Sequence, residues 1–308
     1  MTSFVPAPAR IRIGSAPDSW GVWFADDPQQ VPWERFLDEV SEAGYEWIEL
    51  GPYGYLPTDP VRLTDETARR GLAVSAGTVF TGLHHGPDVW ERTWAHVAGI
   101  AALTRAMGAE HLVVIPSFWR DDKSGEVLED RTLTAAQWRD LTTQTERLGR
   151  EVRDRYGLRI VVHPHADTHI DSEANVNRFL DATDPDLVSL CLDTGHYAYC
   201  GGDSVKLIKT YGERIGYLHL KQVDPSVLAD VVANEVPFGP AVARGVMCEP
   251  PGGVPALEPV LDATRSLGAD LFAIVEQDMY PCPPDKPLPI ARRTRDFLRS
   301  CGPARPAS

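Results

Sequence analysis

Strict alternation constrains this chain most: again and again a short apolar run gives way to a stretch with helical periodicity, and a glycine closes most of the helical stretches. The apolar runs lie at 11–14, 45–50, 72–79, 111–116, 159–162, 187–192, 215–220 and 271–275, and they read as strands. Helices are predicted over 32–43, 60–70, 88–107, 134–156, 172–182, 204–211, 255–267 and 290–300. Gly44, Gly71, Gly108, Gly157, Gly212 and Gly268 stand where a helix needs a left-handed residue to stop. Apolar runs bounded by turn signals suit strands buried on both faces of a parallel sheet. Strands and helices in strict alternation imply right-handed crossovers. Eight such units favour one closed (β/α)8 barrel of the TIM type, in the α/β class, over an open doubly wound sheet. No GxGxxG follows the first strand and no GxxxxGK[ST] occurs, which weakens a nucleotide-binding sheet further.

The 308 residues are expected to form a single domain spanning 1–308, with short Pro/Ala-rich tails at 1–8 and 302–308 that fray. Only the segment 223–254, rich in Pro and Gly, is long enough to be a lid or a binding loop. The 44 acidic against 30 basic residues give a net charge of -14, unfavourable for nucleic acid or an anionic membrane. Five cysteines without a CxxC pair do not make a disulfide framework. The first ten residues lack the apolar core of a signal peptide, and no run is long enough to cross a bilayer, so a cytoplasmic setting is expected.

Four consecutive predicted strands end in chemistry. They run into His163-Pro164-His165, Asp193-Thr194-Gly195-His196, His219-Leu220-Lys221 and Glu276-Gln277-Asp278. In a barrel the carboxyl ends of the strands meet at one mouth, where active sites lie. Because side chains alternate, His163 shares a face with His165, Cys191 with Asp193, Tyr217 with His219 and Lys221, and Ile274 with Glu276 and Asp278. One imidazole or carboxylate from each strand makes a mixed nitrogen and oxygen set. Such a set suits Mn, Zn, Co or Fe better than Ca or Mg. Asp193 reads equally as the cap of a following helix, and His219 as a hydrogen-bonded core histidine.

The eight-unit chain, with Leu192-Asp193-Thr194-Gly195-His196, Leu218-His219-Leu220-Lys221 and Val275-Glu276, resembles the xylose isomerase-like barrel superfamily of sugar isomerases and epimerases. Ala16-Pro17-Asp18-Ser19-Trp20, Ile48-Glu49-Leu50-Gly51 and His163-Pro164-His165 are similar to segments of inosose (2-keto-myo-inositol) dehydratases. The resemblance implies a divalent metal held by Asp193, His219 and Glu276, with manganese expected and cobalt or zinc as alternatives. Many relatives carry Glu where this chain has His163, and inosose dehydratase-like members show histidines there. His163 is therefore assigned as the fourth ligand, with His165, or three protein ligands plus water, as the other arrangements.

Such a centre serves reactions that begin by removing a proton beside a ketone, since a chelating metal neutralises the enolate charge as it forms. Glu49 is the candidate base or acid, and Lys221 the candidate for stabilising an oxyanion or protonating a leaving group. Substrate contacts are expected from Trp20 as an apolar wall, from His165 and His196, and from Glu249 on the long loop. The expected activity is dehydration of a keto-inositol or similar cyclic polyol ketone. The alternatives are ketose isomerisation or epimerisation, a metal-dependent endonuclease, or a non-catalytic barrel subunit. The expected partners are a small sugar or inositol derivative and, in a homo-oligomer, further copies of the chain, with no nucleic acid or membrane.

Overall fold

The structure, a computed structural model, describes residues 10–302. The tails expected to fray fall outside the described residues, apart from Gly302. The strands are β1 (Ile11–Ser15), β2 (Trp47–Glu49), β3 (Ala73–Thr81), β4 (His111–Pro116), β5 (Arg159–Val162), β6 (Val188–Asp193), β7 (Ile215–Leu220), β8 (Gln222–Val223), β9 (Met247–Cys248) and β10 (Leu271–Val275). The helices are α1 (Trp33–Glu42), α2 (Pro60–Ala68), α3 (Trp90–Ala106), α4 (Ala135–Tyr156), α5 (Glu173–Asp181), α6 (Thr194–Tyr199), α7 (Ser204–Tyr211), α8 (Pro225–Ala233), α9 (Phe238–Ala243), α10 (Leu257–Arg265) and α11 (Pro287–Ser300). Eight strands close a parallel barrel in the order β1-β10-β7-β6-β5-β4-β3-β2, as the alternation predicts.

Local chemistry explains where the elements begin and end. Thr134 opens α4 with a full capping box, its side chain accepting from the Gln137 amide while Gln137 reaches back to the Thr134 amide. Gly157 closes the same helix with φ 66°. The amphipathic helices turn their apolar faces onto the barrel, so that Phe36, Leu37 and Val40 of α1 are completely buried.

A second apolar cluster fills the barrel itself. Val113, Val161, Cys191, Tyr217, Phe272 and Ile274 project inward and meet. The Tyr217 hydroxyl donates to Ser75 Oγ across the barrel at 2.8 Å, and Phe272 packs edge-on against Trp47. These side chains make a closed floor, so any ligand must enter from the carboxyl ends of the strands.

The segment 223–254 departs from expectation. It is not an open loop but a folded insert, with β8 and β9 paired antiparallel and α8 and α9 between them. Its small core contains Val223, Val231, Phe238, Val242 and Val246, joined by Ala166 from the barrel side. Asp224 caps α8 ahead of Pro225 at the first helical turn. None of the helices among the described residues is long and apolar enough to cross a membrane.

Helix α4 lies close to the barrel because Gly149 allows it: a Cβ there would sit 2.4 Å from the Leu187 carbonyl oxygen. In an open helix Gly→Ala gains about 1 kcal/mol. Here overpacking against backbone wins, and Gly149→Ala is expected to destabilise the protein by about 1–3 kcal/mol. Urea unfolding checks this; a gain in stability would show that α4 is not held at that distance.

Candidate metal centre

The barrel brings the four strand ends together. Asp193 is paired in register with His219 on the neighbouring strand, while Ile274 pairs with His219 and places Glu276 just beyond. His163 continues β5, its amide donating to the Val114 carbonyl at 2.9 Å. His163, Asp193, His219 and Glu276 are all buried, and one ligand atom from each lies within 4.8 Å of the others. His163 Nε2 is 3.4 Å from Asp193 Oδ2, and His219 Nδ1 is 3.6 Å from the same oxygen and 2.9 Å from Glu276 Oε2. Bonds of about 2.1 Å to one cation would set neighbouring ligands roughly 3.0–3.4 Å apart, close to this spacing.

The donor atoms themselves ask for a cation. Asp193 Oδ2 and His219 Nδ1 are buried and make no well-directed hydrogen bond among the described residues, their polar neighbours being the Lys221 ammonium at 3.2 Å and Glu276 Oε2 at 2.9 Å. Leaving such atoms unsatisfied costs about 1–3 kcal/mol each, more for a charged group. Asp193 uses its other oxygen elsewhere: Oδ1 accepts from the His196 amide at 2.7 Å and caps α6. The cap and the ligand readings of Asp193 are therefore both met, one by each oxygen.

Glu49 at the end of β2 holds the far side of His219. Its Oε1 lies 2.7 Å from His219 Nε2, and its Oε2 accepts from Thr78 Oγ1 at 3.0 Å. A carboxylate on one imidazole nitrogen fixes the proton there and leaves the other nitrogen free to ligate. With both oxygens engaged, Glu49 is placed as a partner to His219 rather than as a free base.

Lys221, just past the end of β7, stands one layer above His219 and is almost completely buried. Its ammonium lies 2.8 Å from Asp278, 3.0 Å from Glu276, 3.2 Å from Asp193 and 3.9 Å from Asp18. His196 Nε2 is 3.2 Å away. Burial alone would favour the neutral amine, but Asp193, Asp278 and Glu276 outweigh it and raise the lysine pKa well above its ordinary value. Burial likewise opposes ionisation of Asp193, yet the Lys221 ammonium holds its pKa well below the usual carboxylate range. Gly195 makes room for the lysine, since a Cβ there would approach Lys221 Cγ to 2.5 Å.

His165 lies outside the four-ligand group, next to it in the cavity wall. Its Nδ1 lies 2.7 Å from the Ala166 carbonyl, a bond that requires the proton on Nδ1 and leaves Nε2 with its lone pair. Burial, aided by His163, pushes its pKa down to about 3, so the ring is neutral. The His196 ring lies against it, tilted, with centroids 3.6 Å apart, and is also kept neutral, by burial and by the Lys221 ammonium.

These groups line one end of a cavity of ≈ 650 Å³ that also contains Asp18, Trp23, Phe24, Phe118 and Phe238. Asp18 and the aromatic residues were not singled out in the sequence; the parity argument reached only strand residues, whereas these sit on the first loop, after β4 and in the insert. Two expected contacts are corrected. Trp20 does not wall the cavity: the 3₁₀ turn Pro17–Trp20 tucks its indole under α1, where Nε1 donates to Glu39 at 2.9 Å and the ring meets Phe36 edge-on. Glu249 does not close over the site either, because the Arg293 guanidinium of α11 binds both its oxygens, at 2.7 and 2.8 Å. Away from the metal centre, Glu129 joins His84 (2.9 Å) and His169 (3.1 Å), tying together the connections that follow β3, β4 and β5.

Comparison with known proteins agrees with this geometry. The family described as xylose isomerase-like TIM barrel matches residues 37–301. An inosose dehydratase from Lacticaseibacillus casei is 30% identical over 296 residues, covering 94% of this chain and 96% of the relative. The crystal structure of IOLI protein with a binding zinc atom superposes with a TM-score of 0.70 at 14% identity, covering 96% of this chain and 100% of that one. D-Allulose 3-epimerase from Methylomonas sp., solved with D-allulose, gives 0.69 at 14% identity, covering 95% and 98%. At these identities the two structures speak for the fold alone.

If Glu49 orients His219, Glu49→Gln weakens retention of a divalent cation by about 10–100-fold. Competition with a chelating dye measures this, and an affinity equal to that of the unmodified protein would remove Glu49 from the centre.

Proposed function

This chain belongs to the xylose isomerase-like TIM barrel family, and from that premise we propose that it is a divalent-metal-dependent lyase that removes water from a keto-inositol or similar cyclic polyol ketone. The observation that carries this reading is the buried group of His163, Asp193, His219 and Glu276 with Lys221 directly above it, at the inner end of a cavity large enough for a sugar ring. The full-length similarity to inosose dehydratases supports the choice of substrate. Two imidazoles and two carboxylates suit manganese, with cobalt or zinc as substitutes.

A cation held by these four residues supplies Lewis-acid neutralisation to a ketone and its neighbouring hydroxyl. The remaining work falls to the side chains around it. His165, neutral and with Nε2 unprotonated, lines the cavity beside the ligand group and accepts a hydrogen bond from a substrate hydroxyl. Lys221, held as an ammonium by its carboxylate neighbours, gives a proton to the departing hydroxyl. Asp278, bonded to that ammonium, steers it toward the substrate. Glu49 keeps His219 in its ligating orientation. The closed floor of Tyr217 and Phe272 shuts water out from below.

The metal-loaded protein is expected to convert 2-keto-myo-inositol to an enone or dione that absorbs in the ultraviolet, and chelation is expected to abolish the reaction. No product with manganese, cobalt or zinc would rule out this substrate. His165→Asn should raise KM for the ketone with little change in kcat. Lys221→Met should lose water elimination while still exchanging the substrate's carbon-bound proton with deuterated water, because cleaving the carbon–hydrogen bond does not need the proton donor. Exchange without any loss of water in the unmodified protein would instead identify an isomerase or epimerase.

A further inference from the structure

The cavity above the metal centre is lined by two chemically different sets of side chains, which meet where Phe118 and Phe238 pack against His165 with ring centroids 5.1 and 5.0 Å apart. One comprises His163, His196, His219, Lys221, Glu276 and Asp278. The other is built from aromatic and aliphatic side chains on four separate parts of the chain. Trp23 and Phe24 come from the first loop, Phe80 from the end of β3, Phe118 and Leu128 from the connection after β4, and Phe238 from α9 of the insert. These side chains touch one another: Trp23 stacks on Phe238 with centroids 6.2 Å apart and planes 14° apart, and Phe80 meets Phe118 at 5.8 Å.

This apolar end is not ordinary core. Phe80 is 50% exposed and Leu128 60% exposed, and both face the cavity. Tyr53, 39% exposed, lines it too, and Val127 beside Leu128 is 66% exposed. Single exposed apolar residues are common on any surface and need no explanation. A contiguous set at the mouth of a reactive cavity is different, and marks a place where something apolar binds.

The cation site and the apolar wall belong to one cavity, so one ligand can span both. A volume of ≈ 650 Å³ falls within the range of about 300–1,000 Å³ that encloses drug-sized ligands. A bare ring with an oxygen on every carbon fits the polar end but matches the other end badly. Thr78, His96, Ser117 and Asp122 also line the cavity, but a hydroxyl turned onto the faces of Phe80, Phe118 or Leu128 themselves would lose water without gaining a partner.

We infer that the preferred substrate is a polyol ketone ring bearing a flat apolar substituent, with Trp23, Phe24, Phe80, Phe118, Leu128 and Phe238 forming the subsite for that substituent. This rests on the proposed reaction at the metal centre and narrows its substrate class. The ring's ketone lies at the polar end, and the substituent lies among the aromatic side chains, toward solvent. Offset and edge-on contacts of the kind already present among these rings would hold an aryl group.

The test compares the methyl and phenyl β-D-glucopyranosides, each oxidised to the ketone at C3, on the manganese-loaded full chain. Dissociation constants and kcat/KM are measured for both. The phenyl compound is expected to bind at least about tenfold more tightly, in keeping with the discrimination available from apolar pocket contacts. Phe80→Ser and Leu128→Ser, at exposed positions where folding is not at stake, should each reduce that ratio to about threefold or less. Equal binding and turnover of the two compounds would overturn the subsite while leaving the proposed reaction standing. Binding of neither by protein that turns over 2-keto-myo-inositol would overturn the subsite alone, and failure on all three ketones would overturn the proposed reaction as well. A phenyl preference that survives both substitutions would place the substituent elsewhere and overturn the assignment. So would a concentration-dependent dimer that Leu128→Ser dissociates with no change in the ratio, because a second copy would then be what covers these residues.

Discussion

One buried carboxylate, with an oxygen turned into the ligand group, organises this molecule. Asp193 ends β6 in a place from which water is excluded, and a charge there costs several kcal/mol unless something answers it. One of its oxygens is answered by the His196 amide, which starts α6 in a fixed direction. The other faces His163 and His219 and receives no well-directed hydrogen bond among the described residues. The surrounding charges follow from that second oxygen. Lys221 keeps the group ionised, and the two imidazoles turn nitrogens toward it.

The barrel converts this local need into a layered site. Along β7 and just past its end, alternate residues climb from floor to mouth: Tyr217 closes the barrel, His219 enters the ligand group, and Lys221 reaches the substrate side. Each layer is supported by a neighbour. Tyr217 is held by Ser75, and His219 by Glu49. Thr194 fixes the strand end at Lys221, its hydroxyl donating to the Lys221 carbonyl at 2.6 Å. Reactive groups on rigid strands, with their partners on adjacent strands, can be placed more closely than groups carried on loops.

Much of this was legible in the sequence, for physical reasons that also mark where legibility ends. Strand–helix alternation and the glycines that close the helices lead to the barrel, because both signals are local. Two-residue parity at the strand ends put His163, Asp193, His219 and Glu276 on one list, since a strand offers only two faces. Loop residues carry no such rule. The indole of Trp20 and the carboxylate of Glu249 were expected at the cavity, but long-range partners, Glu39 with Phe36 and Arg293, take them away. The insert at 223–254 was read as a loop because of its Pro and Gly, although Asp224-Pro225 was already the start signal of α8. Phe238, which that insert delivers to the cavity, was hidden for the same reason.

The measurement that bears most directly on this account is anomalous diffraction from crystals of the protein grown with manganese. The account predicts one strong anomalous peak among His163 Nε2, Asp193 Oδ2, His219 Nδ1 and the Glu276 carboxylate, at about 2.0–2.3 Å from each. A cation found elsewhere, or none at this position with Lys221 still seated against Asp193, would contradict it.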